Sequence, residues 1–137
     1  LAAMIPVGQA LETSGISLNI ANFISTTTEG MALPWLILMV LVITMFVSDI
    51  VNNAATAVIM APIAANLAMQ VGQPVEPFLM AVAVGASCAF LSPIGHQCNT
   101  LVMAPGNYKF GDYWRLGLPL EFVIVLISIP MILFVWT

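Results

Sequence analysis

Charged side chains are scarce in this chain: they make up 6% of its 137 residues, against about a quarter in a typical soluble domain. Only Lys109 and Arg115 are cationic. Two cations are too few to line a basic groove, so the sequence predicts no nucleic-acid partner. The six acidic residues give a net charge of −4 but are spread thinly. Apolar residues fill the chain instead, at 61% with a mean hydropathy of +1.09. This composition predicts an all-α membrane protein that crosses the bilayer several times.

Residues that build covalent or catalytic centres are also few. Cys88 and Cys98 fall in apolar segments, a setting that suggests neither a disulfide nor a zinc site. One histidine, no suitably spaced acid pair and no glycine-rich phosphate loop predict a protein that is not an enzyme and uses no organic cofactor. The chain opens with Leu1 in mid-pattern and shows no signal-peptide pattern, so we expect the C-terminal part of a longer protein.

Two short apolar runs, residues 33–47 and 57–69, flank a polar stretch at residues 48–56. The first run corresponds to roughly 22 Å of helix, whereas a full span needs about 20 residues. We therefore expect either a re-entrant helical hairpin, which dips into the bilayer and returns, or two thin spans. Pro34 suits the first helical turn, and Pro62 is expected to kink the second arm.

A second interruption follows further along the chain. The apolar run at residues 78–91 breaks at residues 92–100, around a Pro-Ile-Gly sequence, and resumes at residues 101–104. This pattern predicts a discontinuous helix. The aromatic-rich loop at residues 105–115 then leads into a last span, which we expect to begin near residue 116.

The start of the chain is expected to be a helix end followed by a short interfacial helix. Gly15 is a candidate left-handed cap, and Ser17 is the expected N-cap of an amphipathic helix at residues 18–25. The chain then forms one transmembrane unit, residues 1–137, in four parts. These parts are a helix end plus interfacial helix at residues 1–30, the hairpin at 31–72, the discontinuous helix at 76–104 and the last span at 113–137.

The two cations also predict an orientation. Both lie in the loop at residues 105–115, so the positive-inside rule places that loop on the cytoplasmic side. The last span then exits outward. The two mouths of the hairpin, near residues 29 and 73, face outside.

The polar residues of the two interruptions are the candidates for chemistry. Asn52 and Asn53 offer oxygens for a hard cation such as sodium, and the helix N-terminus near Asn53 attracts anions. The alternative is that the two asparagines simply cap the second arm. Asp49 has three open roles, as a cation ligand, a proton carrier or a structural hydrogen-bond acceptor, and we favour the structural one. The remaining candidates are Ser48, Thr56, His96, Gln97, Asn99 and Thr100.

Two stretches resemble the second repeat of the divalent anion–sodium symporter family, whose members carry dicarboxylates, citrate or sulfate. They are residues 48–62 (SDIVNNAATAVIMAP) and residues 85–118 (GASCAFLSPIGHQCNTLVMAPGNYKFGDYWRLGL). The resemblance runs from about Gln9 to the end of the chain. It implies the C-terminal inverted repeat of a secondary transporter, with a re-entrant hairpin and a broken transmembrane helix. It further implies a homodimer in a plasma membrane or bacterial inner membrane, a small anionic substrate, and sodium as the coupling ion.

The same resemblance implies which residues bind. The family's hairpin tip reads Ser-Asn-Thr, and here it reads Asn52-Asn53-Ala54, so the central asparagine is kept. The implied sodium ligands are Ser48, the Val51 carbonyl, Asn53 and the Gly95 carbonyl. The substrate contacts expected here are Asn52, Asn53, Ala54, Thr56, His96, Gln97 and Asn99. The missing threonine hydroxyl at the tip, together with the histidine, departs from a simple dicarboxylate pocket.

The sequence therefore favours sodium-coupled symport of a small divalent anion, either sulfate or a di- or tricarboxylate. One alternative is a proton-coupled ion transporter that uses Asp49, such as a sodium–proton antiporter or an arsenite exporter. The other is a structural membrane subunit that packs helices without transporting anything.

Overall fold

The computed structural model describes Pro6 and residues 9–10, 13–27 and 30–136. Six helices are bounded within these residues, and the same residues contain no β-strand. Two of the helices, α2 and α6, are long and apolar enough to cross a membrane by length and composition. The helices in chain order are α1 (Ile16–Thr27), α2 (Leu33–Ile50), α3 (Asn53–Gln70), α4 (Glu76–Ala86), α5 (Gln97–Met103) and α6 (Phe110–Trp136).

The two arms of the predicted hairpin are α2 and α3, and both are longer than the sequence suggested. Each has 18 residues, or roughly 27 Å of helix. The first arm continues three residues beyond residue 47, and the second begins four residues before residue 57. Only Val51 and Asn52 separate them, both in extended conformation. The polar stretch is therefore almost entirely helical, and the interruption itself is two residues long.

The second interruption is displaced towards the N-terminus relative to the prediction. α4 ends at Ala86, five residues before the expected end at residue 91, and helix resumes at Gln97, four residues before the expected residue 101. The helix closes with short-range bonds, from Ser87 N to Val84 O and from Cys88 N to Gly85 O. Beyond them the backbone bonds to other parts of the chain, which is why the apolar run does not stay helical to its end.

α6 begins six residues before the predicted residue 116, so it absorbs half of the aromatic-rich loop. The Asp112 carboxylate accepts a hydrogen bond from Lys109 N at 2.8 Å, which is the side-chain-to-backbone half of a capping box. Pro119 and Pro130 lie inside the helix. The early helix start is therefore explained by a cap that the apolar pattern alone did not reveal.

The core forms where α2, α3 and α4 pack together, with α1 against α3 and α6 against α2 and α4. Gly85 permits close contact of α4 with α2, since a Cβ there would lie 2.8 Å from Thr44 Cβ and 2.9 Å from Leu41 O. Gly15 has the left-handed φ of +71° expected of a cap. Ser17, however, lies inside α1 rather than at its N-cap, and its buried hydroxyl receives a 3.4 Å bond from Asn66 Nδ2 on α3. The expected helix end at residues 1–11 falls mostly outside the described residues.

Candidate functional site

Asn52 begins the second arm. Its side-chain oxygen accepts a hydrogen bond from Ala55 N at 2.9 Å, and its backbone oxygen accepts one from Thr56 N at 3.0 Å. The capping interpretation is thus confirmed for Asn52. The cap uses the side-chain oxygen and leaves the amide nitrogen unused, and the side chain is exposed.

Asn53, the next residue, instead faces a cluster of oxygens. The end of its side-chain amide that points inward lies 3.1 Å from Ser48 Oγ and 3.3 Å from each of the carbonyl oxygens of Ala86 and Gly95. Ser48 is fully buried, and its hydroxyl donates to Ala86 O at 2.9 Å. Four residues from α2, α3, α4 and the second interruption therefore meet at one point.

The Asn53 amide can complete this cluster in two ways, because its two ends have the same shape. With the nitrogen inward, it donates to Ser48 Oγ, Ala86 O and Gly95 O. With the oxygen inward, four oxygens converge, and a cation is the partner that satisfies them all. These oxygens are neutral and hard, a set that would suit sodium better than a transition metal. Within the described residues, no group of three histidine, cysteine or acidic side chains offers a competing metal site.

Gly95 is at the cluster because no larger residue fits. It is buried, and a Cβ there would lie 2.6 Å from Ser48 O and 2.7 Å from Ala89 Cβ. The sequence pointed to Ser48, Asn53 and Gly95 but not to Ala86. The signal for Ala86 was available in principle, since the last carbonyls of any helix lack intrahelical partners, but it required the true end of α4. Val51 is the C-cap of α2, with its N–H bonded to Val47 O; its role as a ligand stays a prediction.

Asp49 ties the second interruption to the end of α2. Its carboxylate Oδ1 accepts from Leu91 N at 2.9 Å, and its backbone oxygen accepts from Ser92 Oγ at 2.5 Å. The residue is 6% exposed, and its Oδ2 is buried without a hydrogen-bond partner among the described residues. On the other side, α6 packs closely through Gly117, where a Cβ would lie 2.5 Å from Phe90 O. The interrupted segment is thus held between two apolar helices.

His96 and Asn99 stand at the far end of the interruption. His96 is the N-cap of α5, with Nδ1 accepting from Cys98 N at 3.1 Å. Neutral His96 therefore carries its proton on Nε2 and presents a donor there. The amide nitrogen of Asn99 donates to Ala89 O at 2.8 Å and to Ser92 O at 3.1 Å. Asn99 thus uses its donors within the segment, whereas the exposed His96 keeps one for a ligand.

A cavity of about 350 Å³ opens beside the oxygen cluster. The structure brings three of the predicted substrate residues to it, namely Asn53, His96 and Asn99, together with Ser87, Ala89 and Phe90. Ala54, Asn52 and Gln97 do not line it. Thr56 is fully buried, and its hydroxyl has no partner among the described residues. An anion in this cavity would lie next to the Asn53 amide that also faces the cluster.

An apolar chain whose described residues form helices, with polar groups gathered at the helix interruptions, has the features of a membrane transport protein. Comparison with known families agrees. The model of the sodium:sulfate symporter transmembrane region matches residues 1–137, and the chain therefore belongs to this family of membrane transporters.

Individual relatives extend the comparison. An uncharacterized transporter of Synechocystis is 35% identical over 136 residues, covering 99% of this chain and 22% of that protein. Sodium/sulfate cotransporter 2 of Chlamydomonas reinhardtii is 30% identical, covering 93% and 15%. A sodium-dependent high-affinity dicarboxylate transporter of Caenorhabditis elegans is 33% identical, covering 78% and 19%. The chain thus spans about a fifth of the length of the relatives it matches.

Proposed function

We propose that this chain is part of a secondary transporter that couples sodium to the movement of a small divalent anion. The anion is sulfate or a di- or tricarboxylate. The observation that carries the proposal is the meeting of Ser48 Oγ, the Asn53 amide, Ala86 O and Gly95 O at one buried point. Relatives named as a sodium/sulfate cotransporter and a sodium-dependent dicarboxylate transporter support the proposal of sodium together with a divalent anion.

Sodium binding relies on neutral oxygens alone. Ser48 and Asn53 supply side-chain oxygens, and Ala86 and Gly95 supply carbonyls that the helix breaks release from intrahelical bonds. The Val51 carbonyl, two residues before Asn53, is a further proposed ligand. Since the ligands carry no net charge, a bound sodium ion leaves a positive charge at the tip, which favours an anion beside it.

The anion site extends from the tip into the adjoining cavity. Nε2–H of His96 and the free hydrogens of the Asn52 and Asn53 amides are the proposed donors, together with the first backbone N–H groups of α3, including that of Ala54. Thr56, Gln97 and Asn99 stay proposals from the sequence, since Thr56 and Gln97 do not line the cavity and the Asn99 amide donates to Ala89 O and Ser92 O. Sodium at the oxygen cluster offsets the charge of the anion, so the two ligands bind more tightly together than separately.

The arrangement in the membrane is also proposed. α2 and α3 form a re-entrant hairpin, α4 and α5 form a broken helix, and α6 is the last span of a C-terminal inverted repeat. The first repeat supplies the other half of the site, and the transporter is a homodimer in a bacterial inner or plasma membrane. Residues 105–115, which carry both cations, face the cytoplasm.

Uptake by the full-length transporter in vesicles tests this function. Sulfate, succinate and citrate are offered in sodium buffer and in choline buffer. We expect one class of anion to enter only with sodium, and Asn53→Ala to reduce this uptake at least about tenfold by removing a ligand shared by both sites. Undiminished uptake in choline would reject sodium coupling, and unchanged flux through Asn53→Ala would favour a structural subunit.

Proton coupling is the second candidate, and one observation favours it: Asp49 Oδ2 is buried without a hydrogen-bond partner among the described residues. Asp49→Asn separates the two candidates. Asparagine keeps an oxygen for Leu91 N but cannot carry a proton. We expect the variant to retain sodium-dependent uptake; loss of transport, with wild-type flux that follows the pH gradient, would favour a proton carrier.

A further inference from the structure

Ser92 forms an unusually dense set of hydrogen bonds in the second interruption. Its hydroxyl donates to Asp49 O at 2.5 Å and accepts from the N–H groups of Ile94 and Gly95, both at 3.2 Å. Its own carbonyl accepts from Asn99 Nδ2 at 3.1 Å. One small side chain therefore joins the end of α2 to the peptide of Gly95.

We propose that Ser92 is a positioning residue for sodium: it holds the Gly95 carbonyl at the oxygen cluster without touching the ion. This inference rests on the proposed sodium site. Ser48 and Asp49 are neighbours in α2, so the path from Ser48 through Asp49 O and Ser92 Oγ to Gly95 N joins two proposed ligands by two hydrogen bonds.

Packing fixes the position of the Gly95 Cα but not the orientation of the peptide groups on either side of it. Its Cα side packs against α2, where a Cβ would lie 2.6 Å from Ser48 O and 3.1 Å from Asp49 Cα. Packing of this kind limits how close the glycine comes, but a residue without a side chain can still rotate its peptide. The bond from Gly95 N to Ser92 Oγ fixes the peptide plane between Ile94 and Gly95. With that plane fixed and the Cα packed against α2, the Gly95 carbonyl is left with rotation about a single bond, Cα–C.

The backbone of Ser92 is itself anchored on both sides. Leu91 N bonds to Asp49 Oδ1 at 2.9 Å, and Ser92 O receives the Asn99 amide. Removing only the hydroxyl would therefore leave the segment in place while releasing Gly95. We expect the main effect on sodium affinity rather than on the fold.

The test compares Ser92→Thr with Ser92→Val in the full-length transporter. The two replacements have the same shape and differ only in the hydroxyl, so any effect of the added methyl group cancels. For each variant, the sodium concentration that gives half-maximal uptake is measured, and so is the concentration that gives half-maximal thermal stabilisation without anion. Anion half-saturation is measured at saturating sodium.

We expect Ser92→Thr to stay within about twofold of the wild type, and Ser92→Val to need about five- to tenfold more sodium in both assays, in line with the loss of a hydrogen bond. Anion half-saturation at saturating sodium should change little. Equal sodium dependence in the two variants would overturn the proposal, as would a parallel loss of sodium and anion affinity. If Ser92→Val does not accumulate, Ser92→Ala is compared with the wild type instead, because alanine and serine differ by the hydroxyl alone. Failure of both Ser92→Val and Ser92→Ala to fold beside a folded Ser92→Thr would assign Ser92 to folding alone.

Two controls separate this inference from the proposed function. Thr26→Val removes an exposed hydroxyl that bonds locally, to Phe23 O at 3.0 Å, and should leave the sodium dependence unchanged. Absence of any sodium stabilisation in the wild type would reject the sodium site itself. A sodium-dependent wild type with no difference between the Thr and Val variants would reject only the role of Ser92.

Discussion

The two helix interruptions differ in what holds them open. The first, between α2 and α3, consists of Val51 and Asn52. One of these two residues, Asn52, ends the break by capping α3 with its own side chain. The second runs from residue 87 to residue 96 and depends on distant partners, with Asp49 some 42 residues away from Leu91 in sequence. A short break can be closed by local capping, whereas a long one needs other helices to satisfy its backbone.

This difference matters because the proposed sodium ligands come from both interruptions. Ser48 and Asn53 flank the locally capped break, and Gly95 lies in the break that other helices hold. We therefore expect mutations that disturb the packing of the second break, such as Gly95→Ala, to lower both sodium binding and stability. Mutations of the Asn52 cap should lower the stability of α3 more than they disturb the oxygen cluster.

The largest effect is expected from Gly95→Ala. The added Cβ would lie 2.6 Å from Ser48 O and 2.7 Å from Ala89 Cβ, neither of which can rotate away. The cost should be about 3 kcal/mol of stability, with loss of sodium-dependent thermal stabilisation. Gly111→Ala is the matched control, since its Cβ would meet only Trp114 Nε1, at 3.7 Å. Normal sodium stabilisation of Gly95→Ala would show that the two breaks do not meet as described.

A smaller effect is expected from Asn99→Ala. It removes the bonds to Ala89 O and Ser92 O, and we expect a loss of about 2 kcal/mol of stability, measured as a lower melting temperature without sodium. Asn19→Ala, on an exposed position of α1, is the control. An unchanged melting temperature for Asn99→Ala would mean that the second break does not depend on these tertiary bonds.

The smallest effect is expected from Asn52→Ala, which removes the cap of α3 at a cost of about 1 kcal/mol. Asn52→Asp keeps an acceptor for Ala55 N and places a negative charge at a helix N-terminus, so it should retain the wild-type melting temperature. If the aspartate variant lost as much stability as the alanine variant, capping would not be what ends the first break.

The positions of both interruptions could be predicted from the sequence, because polar residues and a Pro-Ile-Gly sequence stand out in a chain this apolar. Their boundaries could not. Ser48 and Asp49 read as part of a polar tip, yet they stay helical because their side chains bond to Ala86 and Leu91. Residues 87–91 read as helix, yet they leave it because Asp49 and Gly117 offer other contacts. In both cases, contacts between residues far apart in the sequence overrode the local pattern.

The candidate site shows the same division. Asn53 was a candidate by residue type and Gly95 only through the family resemblance, and the structure brings the Asn53 amide within 3.3 Å of Gly95 O. Ala86 and Ser92 gave no signal, because an alanine carbonyl and a serine before proline are unremarkable until their partners are known.

The sequence by itself determined a helical membrane chain and the approximate positions of its two helix interruptions, since uninterrupted apolar runs and isolated polar groups in lipid leave few alternatives. Only the tertiary structure decided which freed carbonyls and side chains face one another. That choice depends on packing between α2, α4 and α6, where Gly85, Gly95 and Gly117 allow backbones to approach, and no local pattern encodes such an approach.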